Sequence, residues 1–247
     1  MNEPIRVEHD DRVSTLYLDR PERRNALSLP LLARLSEVIT SGLREETAAV
    51  IITGSEGYFC AGADLTDLTG TLEDLAMDDA IEEVAQKIRG LAVPVIAAID
   101  GPCMGGGVGL ALSCDHRIAS ENAFFQVPAT RLGLLYNPRS IAAMQQRFGH
   151  DAMFRVLVLG ERFDAQEARR AGLVSRVVKG SSYAEASELA RSASANISSA
   201  VAATKQLINA VDGNDYDPAE WEQRRRELLS SPERKAAVEL EKKRRGY

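Results

Sequence analysis

Two glycine-bearing segments, TGSEGYFCAGADL (Thr53 to Leu65) and DGPCMGGGVGLALS (Asp100 to Ser113), each follow a short apolar run directly. Small residues at such turns let the main chain approach a ligand closely and leave its N–H groups facing outward. The second segment also runs into an apolar helix, whose N-terminal end carries partial positive charge. Donation of main-chain hydrogen bonds to a negatively charged atom is the chemistry that two such turns can perform. Two other glycine patterns do not fit: from Gly105 the sixth place of G-x-G-x-x-G is Leu110, and no Gly-Lys-Ser or Gly-Lys-Thr is present. Close helix-to-strand packing would explain one glycine. It explains Gly105, Gly106, Gly107 and Gly109 together less well, because each glycine inside a helix costs about 1 kcal/mol relative to alanine.

The elements that must carry these turns are legible as alternating strand and helix. IRVEH and RVSTLYL flank Asp10-Asp11 as a hairpin, and Ser28 caps a helix with an inward stripe of Leu32, Leu35, Val38, Ile39 and Leu43. Ala48 to Thr53 and Val93 to Ile99 are continuous apolar runs, the pattern of strands covered on both faces, with a helix expected near Thr71 to Leu91 between them. The class is α/β. Asp164-Ala-Gln-Glu167 has the form of a capping box, Gly172 ends that helix, and LVSRVV follows as a strand. From Tyr183 the chain reads as successive helices, so a core (1–190) and a helical C-terminal region (191–247) are expected.

Composition narrows the function classes. With 247 residues and 45% hydrophobic content the chain can bury one sizeable core, and a net charge of −6 opposes a nucleic-acid platform. No apolar run reaches the roughly 20 residues of a membrane span, and MNEPIRVEHDD lacks the order of a secretion signal. No membrane partner and a cytoplasmic location are therefore expected. Cys60, Cys103 and Cys114 are an odd number without a C-x-x-C pair, which predicts buried thiols. The histidines His9, His116 and His150 lack metal-ligand spacing, so no metal is expected.

FCAGADL (Phe59 to Leu65) followed by G-P-C-M-G-G-G-x-G-L-A-L-x-C-D resembles the crotonase superfamily, the enoyl-CoA hydratase/isomerase group. RPERRNALS (Arg20 to Ser28), TRLGLLY (Thr130 to Tyr136), GERFDAQEARRAGLVSRVV (Gly160 to Val178) and SPERKAAV (Ser231 to Val238) extend the resemblance along the chain. It implies a spiral of ββα units, a C-terminal helical region that forms a trimer or a dimer of trimers, and an acyl-CoA thioester as partner. No permanent cofactor is implied, since coenzyme A arrives as part of the substrate. By motif matching, the two donors to the thioester oxygen fall on Ala63 and Gly106. Two preorganised donors in a water-poor pocket stabilise a developing oxyanion by about 3 kcal/mol each. Arg23, Arg24, Ala26, Ala61, Asp64 and Leu65 match the coenzyme-binding stretches, with Asp64 also shaping its turn.

The resemblance also shows what is missing. The two glutamates of similar hydratases are replaced by Gly109 and Ala129. General acid–base groups typically supply 10²–10⁴-fold each, so ordinary hydration by that pair is not expected. Removing two acids suggests a wider acyl pocket. Tyr136 lies in LGLLYN, similar to the Leu-Gly-x-x-Tyr-Asn of the family's methylmalonyl-CoA decarboxylase, and either donates a proton, orients a carboxylate, or lines the pocket. Asn137 either orients a substrate polar group or starts the next helix. Glu82 and Glu83 read as a solvated helix face. Three functions remain open: a hydratase/isomerase-type enzyme acting through an enolate, a decarboxylase using Tyr136, and a non-catalytic acyl-CoA binding protein.

Overall fold

The computed structural model describes residues 3–213 and 215–247. The hairpin is present: β1 (Ile5–Asp10) pairs antiparallel with β2 (Val13–Leu18), and Asp11 at the turn adopts φ 51°. Parallel to β2 run β3 (Ala49–Gly54), β4 (Val95–Ile99), β6 (His116–Ser120) and β9 (Arg176–Val178), giving the order β1-β2-β3-β4-β6-β9. A second sheet joins β5 (Pro102–Met104), β7 (Phe124–Gln126) and β8 (Phe163–Asp164). Helices α1 (Leu29–Glu37), α2 (Leu75–Gly90), α3 (Gly106–Ser113) and α4 (Pro138–Phe148) each follow a strand of the large sheet and a segment of the small one. Bridges Leu27↔Ala63 and Cys60↔Cys103 extend that small layer to the first two turns, so the chain winds as a spiral of ββα units.

Period-2 alternation explains why β3 and β4 are apolar throughout. Ala49, Ile51, Ile96 and Ala98 face Ala186 and Ala190 of a later helix, α7 (Ser182–Ser194), while Val50, Ile52, Val95 and Ala97 face the main core with Leu31, Leu35 and Ile88. Between α4 and α7 lie α5 (His150–Met153) and α6 (Ala165–Arg170), the latter opened by the expected capping box of Asp164 and Glu167. Helix α1 is capped by Ser28 as expected, its Oγ accepting from Leu31 N. Helix α7 (Ser182–Ser194) crosses residue 190, where the sequence suggested a division, and packs on the sheet. Helices α8 (Ser198–Asp212), α9 (Pro218–Ser230) and α10 (Pro232–Arg245) complete the chain. No helix of the described residues is long and apolar enough to cross a membrane.

The turns beside the small layer are fixed by buried polar side chains. Asn25 is fully buried at φ 56°; its Oδ1 accepts from Arg20 N at 3.0 Å and its Nδ2 donates to Tyr58 O at 2.6 Å. Asp64, also buried, accepts from Thr66 Oγ1 at 2.8 Å, from Thr66 N at 3.2 Å and from Arg20 Nη2 at 3.1 Å. The Thr66 hydroxyl, with further help from the Thr66 N–H and Arg20, holds the Asp64 carboxyl below its ordinary range. A carboxyl with a lowered folded pKa contributes stability above its unfolded pKa and loses it as the pH falls through the folded value. Asp64→Ala is therefore expected to lower the unfolding free energy by about 2 kcal/mol at neutral pH. In urea titrations the gap between parent and variant should narrow below about pH 4.

Candidate functional site

Two glycine-bearing turns meet as neighbouring main chains. Cys60 N donates to Pro102 O at 3.0 Å and Met104 N to Cys60 O at 2.9 Å, which sets Cys60 against Cys103 in parallel register. Three residues further along each segment stand Ala63 and Gly106. Just before them, Gly62 and Gly105 adopt φ 93° and 49°, and a Cβ on Gly62 would lie 3.5 Å from Gly105 Cα and 3.1 Å from Met104 O. Left-handed backbone requires glycine at both positions, and at Gly62 the close approach of Met104 O requires it again.

The amides on either side of Ala63 are engaged: Gly62 N donates to Cys60 Sγ at 3.4 Å and Asp64 N to Leu27 O at 2.8 Å, while Leu27 N donates to Gly62 O at 2.8 Å. The Ala63 N–H has no acceptor among the described residues, and neither does the N–H of Gly106, which opens α3. A helix leaves its first N–H groups without intrahelical partners, so the Gly106 donor follows from its position. The two N–H groups thus stand on segments that touch at Gly62 and Gly105.

Gly109 and Tyr136 are one feature. A Cβ at Gly109 would lie 2.5 Å from the Tyr136 hydroxyl, and that hydroxyl donates to Gly105 O at 3.3 Å. The pocket widening expected from Gly109 is accordingly not found at that position, because the tyrosine fills the space. Tyr136 is only 8% exposed; burial, then the charges of Asp78 and other neighbours including Glu82, push its phenol up, so it stays protonated. Ala129 is buried in the short turn Ala129–Leu132, and its carbonyl accepts from Leu134 N at 2.9 Å. Asn137 is buried and caps α4: its Oδ1 accepts from Arg139 N at 3.0 Å and its Nδ2 donates to Asp79 at 3.3 Å.

Among the coenzyme-binding candidates, Arg23 and Arg24 are exposed, Ala61 N donates to Arg24 O at 3.1 Å, and Leu65 is exposed. Ala26 is buried, and its carbonyl accepts from Arg20 Nη1 at 2.8 Å. Arg20 thus joins Ala26 and Asp64 beside Ala63, whereas Tyr136 lies against Gly105 and Gly109.

Sequence reading missed the acids of α2. Glu82 is not a solvated side chain: it is fully buried, paired with Arg89 at 2.7 Å and hydrogen-bonded by Ser140. The available signal was its place beside the stripe Ile81, Ala85 and Ile88, with Arg89 two turns on as a partner. Asp78 lies one turn before Glu82, and burial, with smaller contributions from Asp79 and Glu82, raises its carboxyl against an opposing Asn137 hydrogen bond. Helix α2 also touches the donor turn, since a Cβ on Gly106 would lie 2.8 Å from Ile81 Cδ1.

Comparison with known proteins agrees with this fold. The profile of the enoyl-CoA hydratase/isomerase family matches residues 8–243. A probable enoyl-CoA hydratase of Mycobacterium tuberculosis, echA6, is 34% identical over 188 residues, 76% of this chain and 76% of that protein. The 2,3-dehydroadipyl-CoA hydratase of Escherichia coli is 34% identical over 69% of this chain and 68% of its own. A solved enoyl-CoA hydratase/carnithine racemase from Magnetospirillum magneticum superposes with a TM-score of 0.90 at 28% identity, covering 100% of this chain and 94% of that one. With its ββα spiral and paired glycine turns, the chain belongs to the enoyl-CoA hydratase/isomerase family, within the crotonase superfamily.

Proposed function

We propose that the protein is an enzyme acting on an acyl-CoA thioester through an enolate held between the N–H groups of Ala63 and Gly106. The observation that carries this reading is the pair of unpartnered amides on two main chains locked in register. When the α-carbon loses a proton or a carboxylate, the bond's electron pair moves toward the thioester carbonyl and its oxygen becomes anionic. Donors already aimed at that oxygen need no reorganisation as the charge develops. Arg23 and Arg24 stand ready for the phosphates of the coenzyme, and Ala61, Ala26 and Leu65 line the path between them and the donors. Asp64 supports that path by holding its turn. In this reading Ala129 and Asn137 bound the acyl side.

A specific observation favours a second reading, decarboxylation. The Tyr136 hydroxyl donates to Gly105 O, one residue before Gly106, and is buried with the acids Asp78 and Glu82 nearby, so this end of the site disfavours another negative charge. A substrate carboxylate placed there would be destabilised before it leaves as CO2, and no base would be needed to form the enolate.

We further propose that the chain assembles with copies of itself, as a trimer or a dimer of trimers, through its C-terminal helices. Neither α9 nor α10 has a buried residue among those described, while Leu229, Val238 and Leu240 are exposed. A groove of about 540 Å³ lined by Leu207, Tyr216, Trp221 and Leu228 opens between α8 and α9. Helices without buried faces gain their stability from a partner.

Incubation in heavy water with saturated, enoyl and malonyl-type CoA thioesters, followed by mass and NMR, tests the catalytic reading. Deuterium at the α-carbon, hydration or a shifted double bond is the expected outcome. Loss of CO2 from the malonyl-type thioester would select the second reading, and tight binding with no exchange across the panel would overturn both in favour of a silent binder. Gly106→Pro removes one donor at the first helical position, where the backbone accepts proline and its Cβ displaces only the flexible ends of Ile81 and Leu27. It is expected to lower kcat/KM by about 10²–10³-fold while coenzyme A binding by calorimetry persists. Sedimentation equilibrium should give the mass of three or six chains; a monomer at micromolar concentration would refute the assembly.

A further inference from the structure

We propose that Tyr136 is a positioning residue of the oxyanion site, acting on the bound thioester through the Gly105–Gly106 peptide. This rests on the oxyanion reading above.

Each free donor N–H belongs to a peptide unit whose carbonyl is held on its far side. For the Gly62–Ala63 peptide, the oxygen of Gly62 accepts from Leu27 N at 2.8 Å. For the Gly105–Gly106 peptide, the oxygen of Gly105 accepts from Val108 N at 3.0 Å and from the Tyr136 hydroxyl at 3.3 Å. An acceptor bond at a carbonyl draws electron density through the amide and makes its own N–H a stronger donor, by roughly 10–30% per bond. It also fixes the peptide plane, and so the direction in which the N–H points. On the Ala63 side the short bond comes from the main chain, beside a long Cys60 Sγ contact to the Gly62 oxygen at 4.0 Å. On the Gly106 side a side chain takes part, and a mutation can remove it.

Position 109 makes the arrangement exclusive. With the would-be Cβ 2.5 Å from the hydroxyl, any side chain at 109 would expel Tyr136 from the Gly105 carbonyl. The glycine that stands where similar hydratases carry an acid is thus the condition for the tyrosine contact. Two further features hold the ring's hydroxyl there as a donor: Tyr136 is almost wholly buried, which pushes its phenol up, and Asn137 anchors the following helix.

Two measurements on the full chain test this. The first needs no ligand: with glycine labelled by ¹⁵N, the Gly106 amide signal, assigned by its disappearance in Gly106→Ala, is expected to move upfield in Tyr136→Phe. The same shift is expected in Gly109→Ala, which keeps the phenol but displaces it. The second uses 4-(dimethylamino)cinnamoyl-CoA, whose absorption moves to longer wavelength as its carbonyl is polarised. The parent protein should bind it with a red shift, and both variants should bind it with roughly 10–30% of that shift lost. On a turned-over thioester, kcat should fall roughly 2- to 10-fold with KM little changed. A Gly106 amide that stays in place in both variants overturns the proposal, even if activity falls. A parent protein that leaves the chromophore unbound or unshifted overturns the oxyanion reading itself, and the role of Tyr136 in catalysis with it.

Discussion

Two main-chain hydrogen bonds between Cys60 and the Pro102–Met104 strand set the geometry on which the rest of the site depends. They fix the relative height of two segments that come from different turns of the spiral. With Cys60 opposite Cys103, Gly62 is pressed against Gly105, and the amides that follow them lie on adjoining backbone. Neither segment could do this alone. An amide on a free loop would sample many directions, whereas here both amides are held by main chain in register.

Beneath this contact the packing is apolar and tight. Cys60 sits directly under α3, where a Cβ on Gly107 would lie 2.7 Å from the Cys60 Cβ. The cysteines are used as small buried groups, and burial pushes the thiols of Cys60 and Cys114 up to about 12, far from any reactive range. Glycine at 107 therefore serves packing, glycine at 105 backbone conformation, and glycine at 109 the entry of a tyrosine. A run that reads as one motif is three separate solutions to three local constraints.

On the opposite side, α2 delivers a charged layer to an otherwise apolar region. Glu82 joins Arg89 and Ser140, Arg89 reaches Ser113, and the Ser113 hydroxyl donates to Gly109 O at 2.8 Å. Breaking a buried pair on one side leaves an uncompensated charge, so this network ties α2, α3 and α4 together. The acids of this region come from α2, whereas Gly109 lies on α3 and Ala129 just after Pro128.

What the sequence determined by itself was local. Alternation placed the hairpin, continuous apolar runs placed β3 and β4, Ser28 and Asp164 marked helix starts, and the glycines at 62 and 105 marked where the backbone must turn left-handed or come close. Periodicity and caps are properties of a few consecutive residues, so they survive without a fold. Only the tertiary structure decided what meets what: that Tyr136 fills the space left by Gly109, that Glu82 is buried, and that Asn137 is committed to capping α4. Those outcomes depend on contacts between elements dozens of residues apart. The distances are set by how helices settle on the sheet, and no local pattern encodes them.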